Sequence, residues 1–132
     1  MKEAIRYLDN AKDILSKSKI EDNKYVDLKY VKSACGVAYL GILKAVDEYL
    51  LKKGFMEKNL PKLVVSKANP SVDAYREMLK KHLTVHNGKL LREFEDIYAE
   101  LHIAGYYRGL LRHTDTVKAV LNAAKKFVEK IK

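Results

Sequence analysis

The sequence predicts an all-α domain, an up-and-down antiparallel four-helix bundle with one additional short helix. Three observations carry that prediction. Only 2 prolines and 6 glycines interrupt the 132 residues, so long stretches are free of helix breakers. Apolar side chains recur at spacings of three and four along most of the chain, the period of a buried helix face. The one β-like run, Leu63-Val64-Val65, is too short to be more than an anchor and has no partner strand in the sequence. A chain of this length forms a single domain, residues 1–132. It can bury roughly two-thirds of its unfolded surface, enough for a core without metal or disulfide staples.

The elements follow in order. Residues 3–18 place Ala4, Leu8, Ala11 and Leu15 on one stripe, with Ile5 and Ile14 beside it and charged residues mostly off it. The polar stretch 16–24 ends that helix. The second helix, 26–53, is the longest and carries two parallel stripes. Cys35, Tyr39, Ile42, Val46 and Tyr49 form the bulky one; Ala34, Ala38, Gly41 and Ala45 form the small one. Each glycine in a helix interior costs about 1 kcal/mol, so Gly36 and Gly41 imply close approach by another backbone, within the bundle or across a dimer seam. Residues 33–43 are apolar nearly all round, which marks this helix as the buried spine.

Gly54 is placed to stop the second helix, and 54–69, with Leu60-Pro61, reads as an irregular connector. Asn69-Pro70 combines a capping side chain with proline at the first helical position, so a third helix starts there. It carries Tyr75, Met78, Leu79 and His82 and fails near Asn87-Gly88. The fourth, 89–107, presents Leu90, Phe94, Ile97, Leu101 and Ala104. The fifth is capped by Thr114 or Asp115 and shows Val117, Leu121, Ala124, Val128 and Ile131.

Composition bounds the function classes. Cys35 is the single cysteine and lies in an apolar run, which fits a buried thiol in a reducing compartment and excludes an internal disulfide. The N-terminal Met-Lys-Glu-Ala-Ile-Arg has no signal-type apolar region. The longest uncharged run, 33–43, falls far below the roughly 20 residues a membrane span needs. The expectation is a cytoplasmic protein without a membrane partner. A net charge of +9 favours nucleic acid or an acidic partner, with salt-sensitive affinity. The charge is spread; its densest stretches are Lys52, Lys53, Lys58, Lys62 and Lys67, then Arg76, Lys80, Lys81, Lys89 and Arg92.

Enzyme signatures are sparse. There is no Gly-rich phosphate loop, Gly-x-Ser-x-Gly or Cys-x-x-Cys, and no cofactor is implied. His82 and His86 have the spacing of two metal ligands on one helix face, but no Glu follows His82 and no metal site is expected. His102 borders the apolar stripe of the fourth helix. Tyr106 and Tyr107 follow it, amphipathic side chains able to pack at a rim or to stack on bases. The segment Arg108-Gly-Leu-Leu-Arg-His113 joins the fourth and fifth helices. Arg108 and Arg112 offer bidentate contacts to phosphate, His113 can act as acid or base, and the start of the last helix adds positive potential. Arg108 and His113 are therefore the candidate catalytic pair. His102, Tyr106, Tyr107 and Arg112 are the candidate ligand or partner surface.

The small-and-aromatic helix 34–45, the phrases 6–12 and 101–107, and the last helix with Ala123, Phe127, Val128 and Ile131 resemble the HEPN superfamily. That group includes the substrate-binding subunits of minimal nucleotidyltransferases; a small, uncharacterised bacterial branch is the nearest. The resemblance implies an up-and-down helical bundle, often dimeric. Catalytic HEPN members carry an arginine and a histidine four to six residues apart before the last helix, as Arg108 and His113 stand, with a polar residue where this chain has Gly109. Three functional expectations result. The first is a non-enzymatic homodimeric module binding a nucleotide, a nucleic acid or a protein. The others are a metal-independent ribonuclease and the substrate-binding subunit of a two-component nucleotidyltransferase.

Overall fold

The computed structural model describes residues 1–54, 72–82 and 87–132. Among them the chain forms α1 (Lys2–Leu15), a hairpin of β1 (Ile20–Glu21) and β2 (Lys24–Tyr25), α2 (Leu28–Lys52), α3 (Val72–His82), α4 (Asn87–Ile97) and α5 (Thr114–Ile131). Between α4 and α5 the fourth helix continues without a break as a π-helical segment, Tyr98–Tyr107. The bundle is the four-helix arrangement of α1, α2, α4 with its π segment, and α5, and α3 is the additional short helix.

Ala4, Leu8, Ala11 and Leu15 of α1 are all buried, as their spacing requires. They face α2, whose Ala34, Cys35, Ala38, Tyr39, Ile42, Ala45 and Val46 lie in the core. A Cβ added at Gly41 would meet Tyr7 Cβ at 2.8 Å and the Ala4 carbonyl at 3.1 Å. The small-residue stripe thus seats α1 against α2 inside the bundle. Asp27 caps α2 by accepting the Lys29 N–H at 3.2 Å, and Gly54, with φ +96°, follows its end. From α3, Tyr75 and Leu79 enter the core; Tyr75 packs on Phe94 of α4 and donates to Asp47 of α2 at 3.4 Å. Phe94 in turn meets Phe127 of α5, and Glu93 pairs with Lys130 at 2.6 Å, so α4 and α5 run antiparallel.

Two features depart from the sequence-based expectation. The polar stretch 16–24 is not a plain connection but holds the hairpin. Asp22 and Asn23 both take left-handed backbone angles, φ 51° and 60°, as a two-residue type I′ turn requires. Asp and Asn are the non-glycine residues that adopt that region most readily. Ser18, buried at the hairpin base, accepts the Asp27 N–H, and Tyr25 anchors the ribbon in the core. The second departure is in the fourth helix. Leu90, Phe94, Ile97 and Leu101 are buried as expected, but the next core position is Gly105 rather than Ala104. The π geometry supplies that shift, because its hydrogen bonds reach five residues back instead of four. The connector, the Asn69-Pro70 start and Lys58, Lys62 and Lys67 lie outside the described residues.

Candidate functional site: the loop pinned between the π segment and α5

The π segment ends where the candidate residues begin. The Arg108 N–H donates to the Ile103 carbonyl at 2.8 Å, and the Leu110 N–H to the Ala104 carbonyl at 2.8 Å. Gly109 has φ +61°, a left-handed angle that glycine adopts freely. A Cβ there would also lie 3.3 Å from the Lys32 Cδ, which places that lysine stem beside the loop.

The hairpin holds the other end. The Tyr25 N–H donates to the Arg112 carbonyl at 2.9 Å, the Thr114 N–H donates to the Asn23 carbonyl at 2.9 Å, and Lys24 bridges His113 in antiparallel register. The backbone from 112 to 114 is thus tied to the ribbon by one isolated antiparallel bridge and its flanking hydrogen bonds. His113, not Thr114 or Asp115, occupies the cap position of α5, and its side chain caps nothing. Thr114 is buried and Asp115 lies in the first helical turn.

Five of the expected residues fall on the single segment 106–113. Tyr106, Tyr107, Arg108, Arg112 and His113 are exposed, Tyr107 by 73% and Tyr106 by 46%, with Leu110 between them at 62%. Among the described residues, neither Arg108, Arg112 nor His113 uses its side chain in a hydrogen bond or ion pair. An anion can therefore approach without displacing an internal partner, and two exposed rings immediately precede Arg108 in the chain.

His102 is not on that surface. Its ring lies 4.8 Å from Tyr39, 5.4 Å from Tyr98 and 5.8 Å from Tyr106, nearly parallel to the last two. Residues 98, 102 and 106 form a column along the π segment and lean on Tyr39 of α2. Half-burial without a compensating charge holds the His102 imidazole below the ordinary histidine range. Arg76 lies 5.3 Å over the Tyr98 ring and is itself held by Asp73 and Glu95. Sequence reasoning named Arg76, His102 and Tyr106 separately but missed the column that joins them, although the four-residue spacing of Tyr98, His102 and Tyr106 was its signal.

For metals, no group of three or more candidate ligands occurs among the described residues. His86 lies outside them, and of His82 only the backbone at the end of α3 is described. Burial pushes the Cys35 thiol up to about 12, the behaviour of an inert core residue. Among the described residues no helix is long and apolar enough to cross a membrane.

The fold and this loop define a small helical-bundle protein with a hairpin-pinned, basic and aromatic surface at one end. Over residues 1–132 the chain matches the family described as Domain of unknown function (DUF5618), and it belongs to that family. It is also similar to a solved structure, a protein of unknown function from Dyadobacter fermentans. The two share 33% sequence identity with a TM-score of 0.71, over 98% of this chain and 89% of that one. Among curated proteins no sequence matches.

Proposed function

We propose that the chain is a non-enzymatic binding module whose 106–113 surface holds a single-stranded nucleic acid. The observation that carries this reading is Tyr107, 73% exposed and next to Arg108, whose N–H is held by the Ile103 carbonyl at the end of the π segment. A ring presented to solvent beside cations matches what a base and its phosphate need: a π face to stack on and a charge-assisted contact. Lys24, Lys32 and Arg112 extend the positive field around it, in keeping with the net charge of +9.

The test is fluorescence anisotropy with a labelled oligouridylate of about 12 nucleotides, across a salt series. Stacking on one ring is worth about 1–3 kcal/mol, so Tyr107→Ala weakens binding by roughly five- to a hundredfold. Arg108→Ala and Arg112→Ala each lower the salt slope by about 0.7. No binding at low salt, or binding indifferent to all three changes, refutes the reading.

A second reading is a HEPN-type ribonuclease, favoured by one observation: Arg108 and His113 share the same exposed loop at the start of the last helix. Arg108 would hold the scissile phosphate and His113 would assist the 2′-hydroxyl. Cleavage of total RNA in EDTA, lost in His113→Ala, supports it; equal activity in both proteins removes it. A homodimer, and the role of a nucleotidyltransferase substrate-binding subunit, remain proposals from the HEPN resemblance. Val37 and Leu40 stay half-buried on α2 and offer a dimer seam. A strictly monomeric species in light scattering at high concentration counts against it. Failure to co-purify with a catalytic nucleotidyltransferase counts against the subunit role.

A further inference from the structure

We propose that the ring column Tyr98–His102–Tyr106, seated on Tyr39, is a proton-sensitive latch that sets how the 106–112 surface is presented. The inference rests on the binding role proposed for that surface. His102 is the centre of the column, with Tyr39 at 4.8 Å, Tyr98 at 5.4 Å and Tyr106 at 5.8 Å. The two ends are fixed differently. Tyr98 is held by Arg76, which lies 5.3 Å over its ring and is anchored by Asp73 and Glu95. Tyr106 rests against Gly36, where the absence of a side chain lets the ring in; a Cβ there would stand 2.7 Å from its Cδ1. Beyond His102, Tyr106 has no other ring contact among the described residues, and the next residue is the exposed Tyr107.

A proton on His102 changes that balance. Among the described residues, the groups that face the imidazole are the Tyr39 ring of α2 and the Tyr98 and Tyr106 rings of its own segment, with the Arg76 guanidinium from α3 on the far side of Tyr98. Burial shifts its titration, and no carboxylate among the described residues compensates the new charge. The ring faces offer some cation–π attraction, but the Tyr98 ring already carries a cation. Half-buried and next to that charge, the imidazolium gains more from water than from the column and swings outward. Tyr106 then loses its stacking partner, and the end of the π segment loosens. A π-helix is the less stable register to begin with, so its last turn is the part most easily released. Above the titration the neutral imidazole closes the column and holds Tyr107 and Arg108 in place. Acid opens it.

The experiment is a two-dimensional NMR titration of the wild-type chain from about pH 7.5 to pH 5, which spans histidine ionisation. The amides of 104–110 are expected to shift together with the His102 ring proton and to stay still in His102→Phe, which keeps a flat ring and cannot titrate. Amide shifts that follow another group, or that persist in the variant, overturn the latch. This readout uses no ligand, so it stands or falls separately from oligouridylate binding. With the ligand, wild type is expected to bind about fivefold more weakly relative to His102→Phe at pH 5.5 than at pH 7.5. Both proteins keep His113, so its contribution to binding cancels in the comparison. Parallel pH profiles of the two proteins also overturn the latch. If His102→Phe fails to fold, the wild-type titration alone decides.

Discussion

Gly105 of the π segment lies directly against Cys35 of α2. A Cβ at Gly105 would fall 2.5 Å from the cysteine Sγ, 2.7 Å from its Cβ and 3.1 Å from the Glu100 carbonyl. Backbone and the root of a side chain cannot yield as a flexible tip can, so this contact fixes the approach of the two helices. Gly105→Ala is therefore expected to destabilise by about 1–3 kcal/mol through overpacking, although alanine is the better helix former. Cys35→Gly in the same chain should recover part of the loss. Urea unfolding of the single and double variants reads the coupling; strict additivity would show that the contact is not what limits the substitution.

The same contact protects the thiol. With Cys35 buried and its thiol pushed up to about 12, almost none is thiolate at neutral or mildly alkaline pH. Native protein should react with a disulfide reagent only on the timescale of unfolding, and immediately once denatured. Rapid stoichiometric labelling of the native chain would contradict the packing.

Gly36 and Gly41, both on α2, should respond in opposite ways. At Gly41 the nearest atoms are Tyr7 Cβ and the Ala4 carbonyl, which belong to the rigid face of α1. Gly41→Ala should cost about 1–3 kcal/mol. At Gly36 the nearest atoms all belong to the Tyr106 ring, which can move outward. Gly36→Ala should leave thermal stability within about 0.5 kcal/mol but displace Tyr106. Ring-proton shifts of Tyr106 with an unchanged melting curve are the expected signature.

Much of this was legible in the sequence, and the exceptions have physical causes. The core positions of α1, α2 and α5 follow from their periodicity, because a helix in contact with others along its length must keep one apolar face. Leu90 to Leu101 were legible for the same reason. The step from Ala104 to Gly105 in the core stripe was not, since both are small and the spacing alone does not distinguish an α from a π register. The hairpin escaped because each strand is two residues long, too short to show alternation. Its only mark is Asp22-Asn23, a pair that turns readily without glycine. Within the site, the residue types at 106–113 could be picked out from the sequence, whereas their exposure is known only from the fold. His102 could be placed at the border of the apolar stripe but not against Tyr39, because that ring comes from α2, two helices away in sequence.

Stability should report on His102 independently of any ligand. Burial holds its imidazole below 6.5, the value of an unfolded histidine. As the pH falls, the unfolded chain takes up that proton first, so folding stability declines below about 6.5 and levels once the native histidine is protonated too. Above that pH the contribution is constant. His102→Phe removes this part of the pH dependence while the carboxylates keep theirs. Urea midpoints measured at neutral and mildly acidic pH should fall less in the variant; an equal decline would place the titrating group elsewhere.

The hairpin and the loop make a last test of how the surface is held. Asn23 has φ 60°, and its carbonyl accepts the Thr114 N–H; two residues on, the Tyr25 N–H reaches the Arg112 carbonyl. A β-branched residue in the left-handed region costs roughly 1–2 kcal/mol, so Asn23→Val should unwind the turn. Glycine adopts that region freely, so Asn23→Gly should keep it. The core lies below the ribbon and is built from helix faces, so neither change should melt the bundle. Amide exchange at Thr114 and Tyr25 should accelerate in Asn23→Val and not in Asn23→Gly. If the loop is a working surface only while the ribbon fixes it, oligouridylate binding should weaken in the first variant alone. Unchanged exchange at Thr114 in Asn23→Val would mean that the start of α5, rather than the hairpin, holds Arg112 and His113 in place.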